Sequence, residues 1–118
     1  MHKCMLVIAS AITVIGILIS CSKGSTGNNN TLDCNTVTNK AWAANIDPII
    51  QTFCNQASCH ASGSVNGPGP LTNFAQVNSA KAQIREAIRT GLMPQNTTLT
   101  TAQKNSIICW IDSGAPNN

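Results

Sequence analysis

The sequence predicts a small all-α domain of three main helices joined by long loops, and three observations lead to it. Helix punctuation recurs: Asp47-Pro48 and Thr100-x-x-Gln103 read as starts, Gly91 and Gly114 as stops. Apolar residues fall at helical spacing between those signals. No segment alternates apolar and polar residues convincingly enough to read as a strand, and the run from Ala61 to Pro70 is too rich in Gly, Ser and Pro to hold either regular structure.

The elements follow in order. Thr36 to Asn45 reads as an extended arm with Trp42 as its one large apolar group. Asp47 is the expected N-cap of the first helix and Pro48 its first helical residue. Ile49, Ile50, Phe53 and Ala57 share a face, so this helix is short and runs into a pair of cysteines, Cys54 and Cys59. The second helix is capped by Asn78 or Ser79. It carries Ala80, Ile84, Ala87 and Ile88 at i, i+4, i+7 and i+8 and stops at Gly91, which leaves Leu92 and Met93 in the turn beyond. The third opens on the Thr100–Gln103 capping box and buries Ile107, Ile108, Trp110 and Ile111, with Gly114 and Pro116 ending it. At about 100° per residue Cys109 lies on the side of that helix away from its apolar face. An arm crossing the outside of the helix can reach it, and Cys34 sits in such an arm, so the expected disulfide is Cys34–Cys109. The loop it closes is long, worth roughly 3–5 kcal/mol in the chain-entropy account.

The chain of 118 residues opens with an address rather than a fold. Met5 to Ser20 carries no charge, yet it is shorter than the ~20 apolar residues of a spanning helix and ends in small residues, as a secretory signal does. Leu18-Ile19-Ser20-Cys21 resembles the bacterial lipobox, which implies a signal peptide over 1–20 and lipidation at Cys21; the alternative is an uncleaved anchor. Either way the rest is expected outside the cytoplasm, in the cell envelope, facing the periplasm or the exterior. Residues 21–31, polar and Gly/Asn-rich, read as a flexible tether, and 32–118 as the folded domain. A domain that small, with two Trp, two Phe and no Tyr in the whole chain, usually needs a staple or a large apolar cofactor. A net charge of +3 without a basic stripe or interleaved aromatics gives no sign of nucleic-acid binding.

Of six cysteines, Cys4 falls in the signal and Cys21 is the lipidation site, leaving Cys34, Cys54, Cys59 and Cys109. Four committed cysteines in an exported chain could form two disulfides, one four-ligand metal site, or one disulfide plus one haem attachment. Cys59 is followed by His60, the only histidine beyond the signal. Covalent haem attachment needs two thiols to add to two vinyl groups and an imidazole directly after the second thiol, usually as Cys-x-x-Cys-His. Here the gap is four residues, Asn55-Gln56-Ala57-Ser58, a minority form of that pattern. A metal-bound imidazole normally donates its other N–H to a carbonyl, for which Pro70 or Pro68 is the candidate. Met93 is the only methionine beyond the signal, and it lies in a Gly-Leu-Met-Pro turn outside the helical periodicity. A thioether presented from a loop opposite the imidazole would complete six-coordinate iron and raise its potential.

With these residues in view, the chain resembles the cytochrome c family, closest to small bacterial lipoprotein cytochrome domains. The shared order is a Pro-Ile-Ile helix, Cys…Cys-His, a leucine after a Gly/Pro loop (Leu71), a middle helix, Gly-x-Met-Pro, and a last helix ending Trp110-Ile111-x-x-Gly114-Ala115-Pro116. The match runs from about Asp47 to Pro116. It implies a cytochrome c-like fold around one covalent haem c, bound through Cys54 and Cys59, ligated by His60 and Met93 and contacted by Pro70 and Leu71. It also implies first and last helices crossing beside the haem, with Trp110 packed at the crossing. The expected function is one-electron transfer, not enzymatic turnover, with a redox partner protein and the membrane, through Cys21, as partners. The four-residue gap is the departure from the family pattern, and it bears on whether both cysteines bind haem.

Three other readings use the same residues. A haem-free lipoprotein stapled by Cys54–Cys59 and Cys34–Cys109 would be a binding or structural module. A zinc site could draw on Cys34, Cys54, Cys59, Cys109 and His60. A haem protein whose Met93 detaches would act as a ligand sensor or weak peroxidase.

Overall fold

Helical structure begins earlier than Asp47. In the computed structural model, which describes residues 31–118, Trp42–Ile46 forms a π-helical turn that runs without a break into α1, Asp47–Phe53. The signal segment 1–20 and the lipidation site Cys21, with all of the tether but its last residue, lie outside the described residues. The wide turn is defined by bonds five residues apart, Ile46 N–H to the Ala41 carbonyl (3.1 Å) and the Asp47 N–H to that of Trp42. Asp47 therefore caps nothing: it is already helical, and its carboxylate accepts from Gln51 Nε2 at 2.8 Å instead. The arm expected to be extended through Asn45 becomes helical at Trp42, because burying Trp42 and Ile46 on one side needs helical spacing there. At its other end α1 stops at Phe53, so Ala57 is exposed rather than part of the apolar face.

The middle of the chain holds two helices instead of one. A short α2, Phe74–Ser79, is capped by Asn73, whose side chain accepts from the Gln76 N–H at 3.1 Å. Ala80 then breaks the path, and α3 runs Lys81–Thr90 with no side-chain cap of its own. Asn78 and Ser79 are thus the end of α2 rather than the start of α3. Ile84 and Ile88 are the buried face of α3, and Gly91 ends it in the left-handed region at φ 73°. The last helix, α4, is Thr101–Asp112 behind Thr100, which forms the complete capping box with Gln103. The described residues thus form helices and loops with no strand, an all-α chain of four α-helices and one π turn.

Packing converges on Trp110, fully buried in α4. Its ring centroid lies 5.2 Å from that of Trp42 and 6.4 Å from that of Phe74, and Trp42 and Phe74 meet edge-on at 5.2 Å. Such pairs add about 0.5–1.5 kcal/mol each beyond the area they bury. The chain after α4 folds back over the same indole. Gly114 and Ala115 both take positive φ, Ala115 N–H returns to the Trp110 carbonyl (2.9 Å), and Trp110 Nε1 donates to the Pro116 carbonyl (2.9 Å). Asn118 then closes the ring: its carbonyl accepts from Ala43 N–H (2.8 Å) and its side chain from Trp42 N–H (2.9 Å), serving two donors at the start of the first helical turn.

Cys34 and Cys109 are joined by a disulfide across 75 residues. Helical spacing places Cys109 away from the apolar face, yet it is fully buried, because the arm that carries Cys34 lies against it. Lys40 holds that arm, donating from Nζ to the Cys34 carbonyl at 2.9 Å. Arg85 and Asp112 form a bidentate pair, 2.6 and 2.9 Å, that ties α3 to α4. Half-exposed as it is, the pair adds at most about 1 kcal/mol.

Two outcomes follow from this arrangement. Reducing the Cys34–Cys109 bridge should lower stability by roughly 3–5 kcal/mol, read as a fall in the urea midpoint of the reduced protein. Asn118→Ala should cost about 0.5–2 kcal/mol, which a thermal melt reads as a Tm lower by several degrees.

Candidate functional site

One side of the core that holds Trp110 borders a hollow, lined by Leu71, Ile84, Ile88 and Leu99 of the same cluster. A cleft of about 980 Å³ opens between the end of α1, the segment from Cys59 to Leu71, one face of α3 and the segment 92–99. Its walls include Cys54, Cys59, His60, Leu71, Ile84, Ile88, Met93 and Leu99, so five of the predicted site residues meet in one place. Pro70 is the exception. It is not part of the cleft wall, whereas Pro68 is. Amides and hydroxyls such as those of Gln56, Asn66, Gln83, Gln95 and Asn96 share the remaining wall with apolar residues such as Phe53 and Ala87, and no charged side chain among the described residues lines it.

His60 is buried at 6% exposure, and its Nδ1 lies 2.8 Å from the Gly69 carbonyl. The partner is therefore Gly69, not Pro70 or Pro68. Leu71 N–H bonds the His60 carbonyl at 2.8 Å, which draws residues 69–71 alongside the histidine. Gly69 sits at φ 97°, a conformation that favours glycine. A carbonyl only accepts, so Nδ1 carries the proton. Nε2 of the neutral ring keeps its lone pair, with no hydrogen-bond partner among the described residues.

The two thiols are held by the backbone around them. Cys54 N–H and Asn55 N–H both return to the Ile50 carbonyl, which ends α1, and His60 N–H bonds the Cys54 carbonyl at 3.2 Å, joining the two ends of the motif. Within it, Gln56 N–H reaches Cys54 and Cys59 N–H reaches Gln56. Both cysteines carry free thiols and are half-buried. Burial, and behind it the nearby Cys59, pushes the Cys54 thiol from 9.0 up to about 11. Met93 is placed by α3: its N–H bonds the Ala87 carbonyl at 3.2 Å, two residues beyond the Gly91 stop, and its half-buried side chain joins the cleft wall.

The cleft has the size and lining of a site for a large, mostly apolar group, at the upper end of the ~300–1,000 Å³ typical of ligand pockets. A haem fits the donor set: two thiols five residues apart, one imidazole with a free lone pair, and one thioether, all on the same cavity. A zinc site fits less well. Cys34 and Cys109 are consumed by their disulfide, and among the described residues no three His, Cys, Asp or Glu side chains converge as a metal-binding group. No helix among the described residues is long and apolar enough to cross a membrane. Sequence reasoning missed Gly69, whose only signal is its place among Gly-Pro steps, and it missed Ser64 and Asn66, which contact the motif from outside. No protein-family model, curated protein or solved structure matches the chain.

The raised Cys54 thiol has a consequence for the chain with both thiols free. The folded form holds this proton more tightly than the unfolded one, so the contribution to stability is complete below about pH 9 and is lost as pH rises through the folded value near 11. The loss should approach 2–3 kcal/mol. Urea titrations on either side of that window check it, with Cys54→Ser as the control that lacks the titration.

Proposed function

We propose that the chain is an exported, membrane-anchored monohaem c-type cytochrome that carries single electrons, with a cytochrome c-like fold around haem c attached at Cys54 and Cys59. The observation that carries this reading is the meeting of Cys54, Cys59, His60 and Met93 on one large apolar cleft, although Met93 lies far along the chain from the other three. The order of elements supports it too: a helix ending in the cysteines, a histidine, the α3 helix, a methionine turn, and a last helix whose Trp110 packs on Trp42 at the start of the first helical segment.

Each residue has a definite task in this reading. Cys54 and Cys59 would hold the haem by addition of their S–H groups across its two vinyl groups, which needs no oxidant. His60 would bind the iron through Nε2, with Gly69 fixing the ring by accepting from Nδ1 and making the imidazole a stronger donor. Met93 would supply a soft thioether, which favours the reduced metal and raises the potential. Leu71, Ile84, Ile88 and Leu99, all buried, keep water from the metal's surroundings. The haem, when bound, supplies an iron that gains and loses one electron. Lipidation at Cys21 would hold the domain at the envelope, within reach of a redox partner protein. The haem-free alternative, a disulfide-stapled lipoprotein, would use the same Cys34–Cys109 bridge but leaves His60, Met93 and the cleft without a task.

The test is an optical spectrum, oxidised and reduced, of protein exported from a host that attaches haem c, followed by denaturation and solvent extraction. Sharp reduced α and β bands, haem retained after extraction, and a near-infrared sulfur-to-iron band that disappears in Met93→Ala with a lowered potential are the expected results. A colourless, folded protein with no free thiol would overturn the reading in favour of the disulfide-stapled lipoprotein.

A further inference from the structure

The four-residue gap between the cysteines leaves a loop that its own backbone does not fully satisfy. Inside it, the Cys54 carbonyl accepts from Gln56 and His60 and the Gln56 carbonyl from Cys59 and Ala61. The carbonyls of Ser58 and Cys59, next to the second thiol, take side-chain donors from outside. Asn66 Nδ2 donates to both, at 3.1 and 3.0 Å, and Ser64 Oγ donates to the Cys59 carbonyl at 2.5 Å. Asn66 also acts through its backbone. Its N–H bonds Ser64 Oγ at 3.2 Å, and its carbonyl accepts from Gly69 N–H, the residue whose own carbonyl holds His60 Nδ1.

We infer that Asn66 is a positioning residue for haem attachment: its side-chain amide clamps the widened loop at Ser58–Cys59, while its backbone sets Gly69 under the His60 ring. The inference rests on the haem reading above and deepens it, because it explains how a four-residue gap presents Cys59 and His60 together. The two carbonyls accept and never donate, so the clamp needs one nitrogen with two N–H groups, which Asn supplies and Asp, of the same shape, does not. Asn66 itself is exposed, so its replacement leaves the buried core untouched.

The experiment compares wild type, Asn66→Asp and Asn66→Ala, exported from a haem-attaching host. One readout is the number of thioether bonds, from the pyridine-adduct spectrum and the mass of the haem peptide. The other is amide hydrogen exchange over residues 59–61, which needs no haem. Wild type should carry two thioethers. Asn66→Asp, which sets a carboxylate against two carbonyls, should give a large fraction bound through Cys54 alone, with exchange over 59–61 faster by about tenfold and that of α4 unchanged. Asn66→Ala should show the same change to a smaller degree. Two thioethers and unchanged exchange in Asn66→Asp would overturn the clamp. Colourless wild type whose exchange still responds to Asn66→Asp would overturn the haem reading and leave the clamp standing as a tie of the loop.

Discussion

Everything in this domain is referred to one contact, the packing of Trp110 against Trp42. The whole chain has four aromatic residues, and three of them, Trp42, Phe74 and Trp110, sit in one cluster. That cluster joins the first helical turn, α2 and α4, and the tail through Asn118 wraps back over it with hydrogen bonds at both ends. A small chain cannot spread its apolar area evenly and still bury enough of it. Three large rings meet in one place in that core, and the Cys34–Cys109 bridge secures the arm on the outside of the same helix.

Beside this core lies a space that side chains do not fill. Ile84 and Ile88 of α3, Leu71 and Leu99 are buried in the same core cluster and also line a cleft of about 980 Å³. An apolar hollow of this size forfeits the dispersion contacts its lining would otherwise make. In the proposed cytochrome a large flat group restores them, so the fold and its cofactor would be stabilised together. The residues proposed to bind it all lie in loops or at a helix end, each one or a few positions from a backbone tie: His60 by Leu71, Met93 by Ala87, and Cys54 by the end of α1. Loop residues held this way can be aimed with little freedom while the helices behind them carry the stability.

The uncharged lining sets the character of the cleft. Among the described residues the ion pairs lie on the outside of α3 and α4, where Arg85–Asp112 and Glu86–Arg89 sit at least partly in water and contribute little. Burial keeps the Cys54 thiol protonated well above the ordinary range, which is the expected state of a thiol in apolar surroundings.

Local chemistry was legible in the linear chain. The Thr100–Gln103 box, the Gly91 stop, the Ile84–Ile88 face and the adjacency of Cys59 and His60 each depend on residues within one or two turns of each other, so spacing alone reveals them. The same held, through helical phase, for the choice of Cys34 as partner to Cys109. What sequence could not show depended on contacts across the fold. Trp42 draws the chain into a wide turn ahead of Asp47 because Trp110 waits in α4. The break at Ala80 leaves α2 as a separate helix that carries Phe74 to the same cluster. Gly69 rather than a neighbouring proline meets His60 in a segment that the Leu71–His60 bond holds alongside the histidine. Cys109 is buried because a distant arm covers it. Periodicity and capping are set by neighbours along the chain, whereas burial and the aim of a carbonyl are set by whatever arrives from elsewhere, and only the tertiary structure decides that.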